Sequence, residues 1–385
     1  MNSLFPTYQR FPIELVKGIG TRVIDQSGNE YLDFTSGIGV TSFGHGNSRI
    51  KAAVLQQLSN IWHTSNLFES SLQEDVAKKL IPDGSYAVYF ANSGAEANEA
   101  ALKLARKATG RDGIVSFQNS FHGRTFGAMT ATGQPKIRDG FGSLLPHFTC
   151  GAYNDGSRLT ELITGETAAV ILEIIQGEGG VQPAETAWLL AVAHQAKQTG
   201  ALLIVDEIQT GIGRTGKKFA YQHSSLEPDI ITVAKALGNG LPVGAMLGKK
   251  TLVESFGYGS HGSTFGGNPV SLSAASIVLD LLHEPGFLEE VQAKGDYFRA
   301  ALAQNIAKSP HVETVRGEGL MLGIVMKEPI KTQIRELQKQ GLLVLTAGKT
   351  KQVVRILPPL TVSYDEIDQA VAILEDTLLS VKIGE

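Results

Sequence analysis

Two short apolar runs, each ending on a single charge, constrain this chain more than any other feature. Leu202-Leu203-Ile204-Val205 stops at Asp206, and Ile230-Ile231-Thr232-Val233-Ala234 stops at Lys235. Runs of this length without polar alternation predict strands buried on both faces, as in a parallel sheet covered by helices. Such sheets bind ligands beyond the carboxyl ends of their strands. The two strand ends therefore aim a carboxylate and an amine at one crevice. An amine that can form a Schiff base and an acid that can hold a pyridinium nitrogen are what pyridoxal 5′-phosphate (PLP) requires of a protein. Taken singly, each also has a plainer reading: Lys235 as a solvated charge, Asp206 as a helix cap or ion-pair partner.

The surrounding pattern fits the same architecture. Strands are expected at 86–91, 113–117 and 168–173, helices at 95–107 and 188–199, and an antiparallel return at 245–248. Ahead of them come a hairpin over 22–34, a glycine-rich loop over 36–46 and helices at 49–58 and 70–80. The first 20 or so residues read as an irregular arm, because Pro6 and Pro12 break helix. After residue 268, helices at 269–282, 287–307 and 364–379 alternate with short strands at 312–325, 341–345 and 353–357. The fold class is α/β, a large domain with a mostly parallel sheet flanked by helices plus a smaller α+β domain. The expected division is an arm and hairpin over 1–45 that join the small domain, a large domain over 46–267, and a C-terminal small domain over 268–385.

At 385 residues and 42% hydrophobic, the chain can bury a core of that size. A net charge of −4 offers no basic surface for nucleic acid. No apolar run approaches the roughly 20 residues of a membrane helix, and no signal peptide is read at the start. The lone cysteine, Cys150, suits a reducing cytoplasm and reads as a buried structural thiol. The nine histidines lack metal-ligand spacing, so no metal site is expected.

Other residues carry candidate chemistry. Ser93-Gly94-Ala95-Glu96 stands at a strand-to-helix junction, where free N–H groups can hold a phosphate; Ser93 and Glu96 equally fit a capping box. The stretch is neither GxGxxG nor a P-loop. Phe121 can stack on a planar ring or fill a core. Arg124 and Arg355 can grip carboxylates or form surface ion pairs, and His122 reads as structural rather than catalytic.

Taken together, Asn92-Ser93-Gly94-Ala95-Glu96-Ala97-Asn98, Phe121-His122-Gly123-Arg124-Thr125, Ile174-Ile175-Gln176-Gly177-Glu178-Gly179-Gly180, Val205-Asp206-Glu207-Ile208-Gln209-Thr210-Gly211, Thr232-Val233-Ala234-Lys235 and Ser263-Thr264-Phe265-Gly266-Gly267-Asn268-Pro269 resemble the motifs of class III aminotransferases, in family order and over nearly the whole chain. These are fold-type I PLP enzymes, and the likeness is greatest to the branch acting on N-acetylornithine. The resemblance implies that Lys235 carries the cofactor, Asp206 binds its ring nitrogen, Gln209 lies at its phenolic oxygen and Phe121 stacks on the ring. Gly94 and Ala95 would hold the phosphate, with Thr264 reaching over from the second subunit of a homodimer and Ser263 touching the substrate. Arg124 would bind the α-carboxylate of N-acetylornithine and Arg355 that of glutamate, while Glu178 would cover Arg355 when the other donor is present.

Ile38 narrows the substrate, because ornithine aminotransferases carry a tyrosine in this loop. An aliphatic side chain suits an acylated, uncharged α-amine. N-succinylornithine, N-succinyl-diaminopimelate and 4-aminobutyrate stay open as donors. An aminomutase is disfavoured by the presence of both Arg124 and Arg355. A non-catalytic PLP-binding module lacks an appended DNA-binding segment or basic patch.

Overall fold

The computed structural model describes residues 3–379, and its centre is a sheet of seven strands. In chain order these are β1 (Tyr86–Ala91), β2 (Gly113–Phe117), β3 (Phe148–Gly151), β4 (Thr167–Leu172), β5 (Leu202–Asp206), β6 (Ile230–Val233) and β7 (Gly244–Lys249). Across the sheet they run β1-β7-β6-β5-β4-β2-β3. The pairs from β6 to β3 are parallel, whereas β7 is antiparallel to both its neighbours. Every residue of β4 and β6 is buried, as the unbroken apolar runs require.

Side chains alternate between the two faces of each strand. Leu203 and Val205 of β5 pack under Trp188, Leu189 and Val192 of the Thr186–Thr199 helix. Ile204 points the other way, against Ala100, Ala101 and Leu104 of the Gly94–Thr109 helix. Asp206 continues the register of Ile204, which sets its carboxylate beneath that second helix. The alanines let the helix lie close to the sheet.

Two four-stranded sheets and a two-stranded antiparallel ribbon, Ile175–Gln176 with Gln182–Pro183, make up the remaining sheets of the described residues. Leu15–Ile19, Arg22–Asp25 and Glu30–Asp33 form an antiparallel set, and Leu342–Leu343 adds in parallel to Glu30–Asp33. Val312–Glu318, Met321–Met326, Val353–Ile356 and Leu345–Ala347 form the other. Leu32 and Phe34 share one core with Phe298, Leu302, Leu322 and Leu374, so the N-terminal hairpin packs among C-terminal elements. Of the segments expected at the two ends, residues 1–2 and 380–385 lie outside the described residues.

Some expectations need correction. Leu15–Ile19 is a strand, not arm; its residues are nearly all exposed, so no alternation marks it. Residues 312–325 divide into two strands around the Gly319-Leu320 turn. The edge strand β3 and the Lys331–Lys339 helix stand where no element was expected. Cys150, on β3, is exposed rather than buried. The glycine-rich loop opens with a left-handed turn in which Ser36, Gly37, Ile38 and Gly39 all have positive φ.

Candidate active site

The carboxyl ends of β5 and β6 open on a cavity of about 440 Å3. Its walls include Gly94, Ala95, Phe121, Arg124, Glu178, Asp206, Gln209 and Lys235, which sequence order spreads over more than a hundred residues. The arrangement follows from the parallel sheet: Asp206 is in register with Thr232, so the lysine three residues beyond Thr232 emerges beside it.

Asp206 is 4% exposed and fully furnished with donors. Its Oδ2 accepts from Asn98 Nδ2 at 2.9 Å and pairs with His122 Nδ1 at 2.8 Å, while Oδ1 accepts from the Ile208 N–H at 3.0 Å. Asn98 is fixed in turn: Thr232 Oγ1 donates to its Oδ1 at 2.7 Å, and its Nδ2 also donates to the His122 carbonyl at 2.7 Å. His122 is therefore a partner of the acid, not only a packing residue, and Asn98 was not singled out by its sequence context. Both contacts join residues distant in sequence, which no local pattern announces.

Lys235 follows β6 with a backbone φ of 45°, a left-handed conformation costly for a residue with a side chain. The turn behind it is tied down by Asn239, whose Oδ1 accepts from the Phe43 N–H at 2.8 Å. Burial, and next the charge of Arg355, lower the lysine amine to about 8, against the opposing pull of Glu178, Asp206 and Glu173. That brings a normally cationic amine within reach of the neutral form near physiological pH.

The Gly94–Thr109 helix begins at the cavity wall. Ser93 Oγ caps it by accepting from the Glu96 N–H at 3.2 Å, while Glu96 Oε2 accepts from the Asn92 N–H at 2.7 Å instead of the cap's own N–H. Gly94 and Ala95, in the first turn, have N–H groups without an intrahelical acceptor, as at any helix start. A Cβ on Gly94 would stand 2.7 Å from Ile208 Cδ1, so the Ile208 side chain would have to shift to admit one. Ser93 is thus the cap, and the N–H groups of Gly94 and Ala95 start the helix at the cavity wall.

Phe121 and Arg124 line the cavity together, the guanidinium carbon 5.8 Å from the ring centre. The Phe121 N–H donates to Glu173 Oε2 at 3.1 Å. Glu173 is a further wall residue that sequence reasoning passed over. Burial raises its carboxyl well above the usual range, and the nearby Asp206 charge pushes the same way. Gln209 is 8% exposed, and its Oε1 is buried without a partner.

Arg355 is 3% exposed, and its Nη1 donates to Glu178 Oε1 at 2.6 Å. Burial works to raise the Glu178 carboxyl, but the Arg355 charge and hydrogen bond outweigh it and hold it below the ordinary value. The pair forms because Gly323↔Arg355 strand pairing fixes the arginine, while the Gly348 N–H donates to the Glu178 carbonyl at 2.9 Å.

Four candidates stand outside the cavity lining of this chain: Arg355, which meets the wall through Glu178, and Ile38, Ser263 and Thr264. Ile38 is 40% exposed on the left-handed turn. Ser263 Oγ accepts from Asn92 Nδ2 at 3.2 Å and from the Gly266 N–H at 2.9 Å, one residue away from the wall. Thr264 is exposed beside it.

Residues 5–378 match the family described as Aminotransferase class-III. The chain is 56% identical over 385 residues to a protein named acetylornithine aminotransferase from Listeria monocytogenes, covering 100% of this chain and 99% of that one. It is 53% identical over 380 residues to a Bacillus subtilis protein of the same name, covering 98% of each. Among solved structures, it resembles the ornithine aminotransferase of Toxoplasma gondii, which holds PLP in its active site at partial occupancy, with a TM-score of 0.94 and 31% identity over 99% of this chain and 92% of that one. The N-acetylornithine aminotransferase of Stenotrophomonas maltophilia superposes with a TM-score of 0.83 and 34% identity over 96% of each chain. The α/β architecture expected from the motifs is the one these structures share.

Proposed function

The chain belongs to the class III aminotransferases, and on that premise we propose that it transfers the terminal amino group of N2-acetyl-L-ornithine to 2-oxoglutarate, giving N-acetyl-L-glutamate 5-semialdehyde and L-glutamate in arginine biosynthesis. The observation that carries this reading is the buried Arg355 closed by Glu178. A donor with its amine far from its carboxylate needs the near arginine neutralised, and an α-amino acid needs it free.

The cavity fits PLP as the resident cofactor. The N–H groups of Gly94 and Ala95 suit its phosphate, the Gln209 side-chain N–H suits its phenolic oxygen, Phe121 suits its ring face, and Lys235 suits its aldehyde. When bound, PLP supplies an electron sink for the charge left on a substrate carbon that loses its proton. Asp206, fixed in place by Asn98, His122 and the Ile208 N–H, would meet the ring nitrogen and hold a proton there. Lys235, with its amine lowered to about 8, would act as the base that takes the proton from the substrate carbon bearing the amino group. Arg124, at the cavity wall, binds the distant α-carboxylate of N-acetylornithine. When glutamate or 2-oxoglutarate enters, its α-carboxylate displaces Glu178 from Arg355.

Ile38, on its left-handed turn, presents an apolar surface to an acylated amine and disfavours the charged amine of free ornithine. The enzyme acts in the cytoplasm as a homodimer, with Thr264 completing the partner's phosphate site and Ser263 contacting substrate. The test is direct: PLP-supplemented enzyme is given N-acetylornithine and 2-oxoglutarate, and glutamate and aldehyde are followed. Formation of both in equal amounts supports the reading, and no glutamate above a Lys235→Ala control overturns it.

A further inference from the structure

A second cavity, about 830 Å3, lies between the N-terminal arm and the Lys331–Lys339 helix. Arg10, Lys331, Arg335, Lys339 and Lys351 line it, and no carboxylate does. Lys331, Arg335 and Lys339 recur every four residues, which stacks three like charges on one stripe of the helix. Such a stripe repels itself unless an anion answers it. Lys339 has a partner, Glu336, at 2.9 Å. Arg10, Lys331, Arg335 and Lys351 pair with no carboxylate among the described residues.

Two further observations point to a ligand. Gln338 lines the cavity, and its side-chain amide makes no hydrogen bond among the described residues while staying in contact with solvent there, so it is free to donate to a ligand. Lys351 has a backbone φ of 56°, strained for a residue other than glycine, and this strained residue forms part of the cavity wall.

We propose that this cavity binds a small multivalent anion, a molecule with two or more carboxylate or phosphate groups. Lys331 and Lys351 supply compact charges, Arg335 a planar fork for two oxygens, and Gln338 a neutral donor. The site is separate from the carboxylate-reading Arg355, although only one hairpin away: Thr346 lines the anion cavity, and its neighbour Leu345 is in register with Arg355.

The proposal is tested by calorimetric titration of the PLP-saturated full chain with citrate and with pyrophosphate, each against sodium chloride at matched ionic strength. Saturable binding of at least one is expected, and the tighter of the two assigns the anionic group. It should survive Arg355→Met and weaken about tenfold or more in Lys331→Gln/Arg335→Gln, because each lost contact is charge-assisted. The swap Lys331→Arg/Arg335→Lys keeps both charges and should keep binding, which separates charge loss from misfolding. Heats matched by sodium chloride, binding unchanged in the double Gln variant, or loss on Arg355→Met alone would each overturn it.

Discussion

Arg355 Nη1 stands 2.6 Å from Glu178 Oε1, a pair in which the cation is 3% exposed and the anion's side chain 35% exposed. The less buried partner is the one able to leave. Glu178→Ala should therefore leave Arg355 open to every α-carboxylate. Single-turnover rates with glutamate relative to N-acetylornithine are expected to rise roughly tenfold or more, since an uncompensated buried charge is worth several kcal/mol. An unchanged ratio would remove the switch from the account.

The acid of the site depends on a scaffold. Asn98→Ala takes a donor from Asp206 and from the His122 carbonyl, and the acceptor from Thr232. Three buried polar groups lose a partner, at about 1–3 kcal/mol each. Reduced PLP affinity with a lowered kcat is expected, visible as a lower melting temperature of the apo protein and a weaker cofactor titration. Asp206→Ala should retain weak cofactor binding and lose turnover.

The amine of Lys235, lowered to about 8, makes a pH prediction. In the unfolded chain a lysine keeps its ordinary value near 10.4. Between about 8 and that value the unfolded chain binds more protons, so the apo protein gains stability from this group as pH rises, and loses it as pH falls through 8. Wild type and Lys235→Met compared by denaturant unfolding across this range should diverge in that direction. Covalent capture of PLP by the apo protein should likewise accelerate up to about pH 8 and then level off.

Ile38 sits at φ 70°, where a β-branched side chain is strained by about 1–3 kcal/mol. Ile38→Gly should relieve part of that strain and raise stability by about 1 kcal/mol. It should also raise KM for N-acetylornithine, because the apolar surface is gone. A raised melting temperature with unchanged KM would place Ile38 outside substrate contact.

Arg214 is fully buried without a carboxylate; it donates to the carbonyl of Leu320 at 3.0 Å and to Ser42 Oγ at 2.8 Å, and it also reaches the Pro358 carbonyl. It fastens the glycine-rich loop to the turn after Arg355. Arg214→Met should cost about 2–4 kcal/mol, because acceptors are stranded while volume is kept. Thermal unfolding of the two proteins measures this directly.

The sequence made some of this legible for identifiable reasons. Asp206 and Lys235 end unbroken apolar runs, so both strand and site followed from one pattern. The Pro269–Leu282 helix has its expected bounds and the helix from Tyr364 its expected start, because their apolar faces are long. Strand β3 escaped notice because it is short and lies at the sheet edge. The Lys331–Lys339 helix does carry a helical period, with Ile330, Ile334 and Leu337 on one buried face, so its signal was present in the sequence although the helix is short and otherwise polar. Asn98, His122 and Glu173 owe their places to contacts spanning 108, 84 and 52 positions, which only the folded sheet creates.

The central claim is that this cavity selects an acylated ω-amino donor. Its most direct test is a single-turnover comparison in which PLP-loaded enzyme, without 2-oxo acid, is mixed with N-acetylornithine, N-succinylornithine, ornithine or 4-aminobutyrate, and loss of the visible cofactor absorbance is timed. The account expects N-acetylornithine to discharge the band fastest, with ornithine and 4-aminobutyrate slower by roughly a hundredfold, as two missing or mismatched polar contacts would give. Equal rates with ornithine, or no discharge by N-acetylornithine, would contradict it.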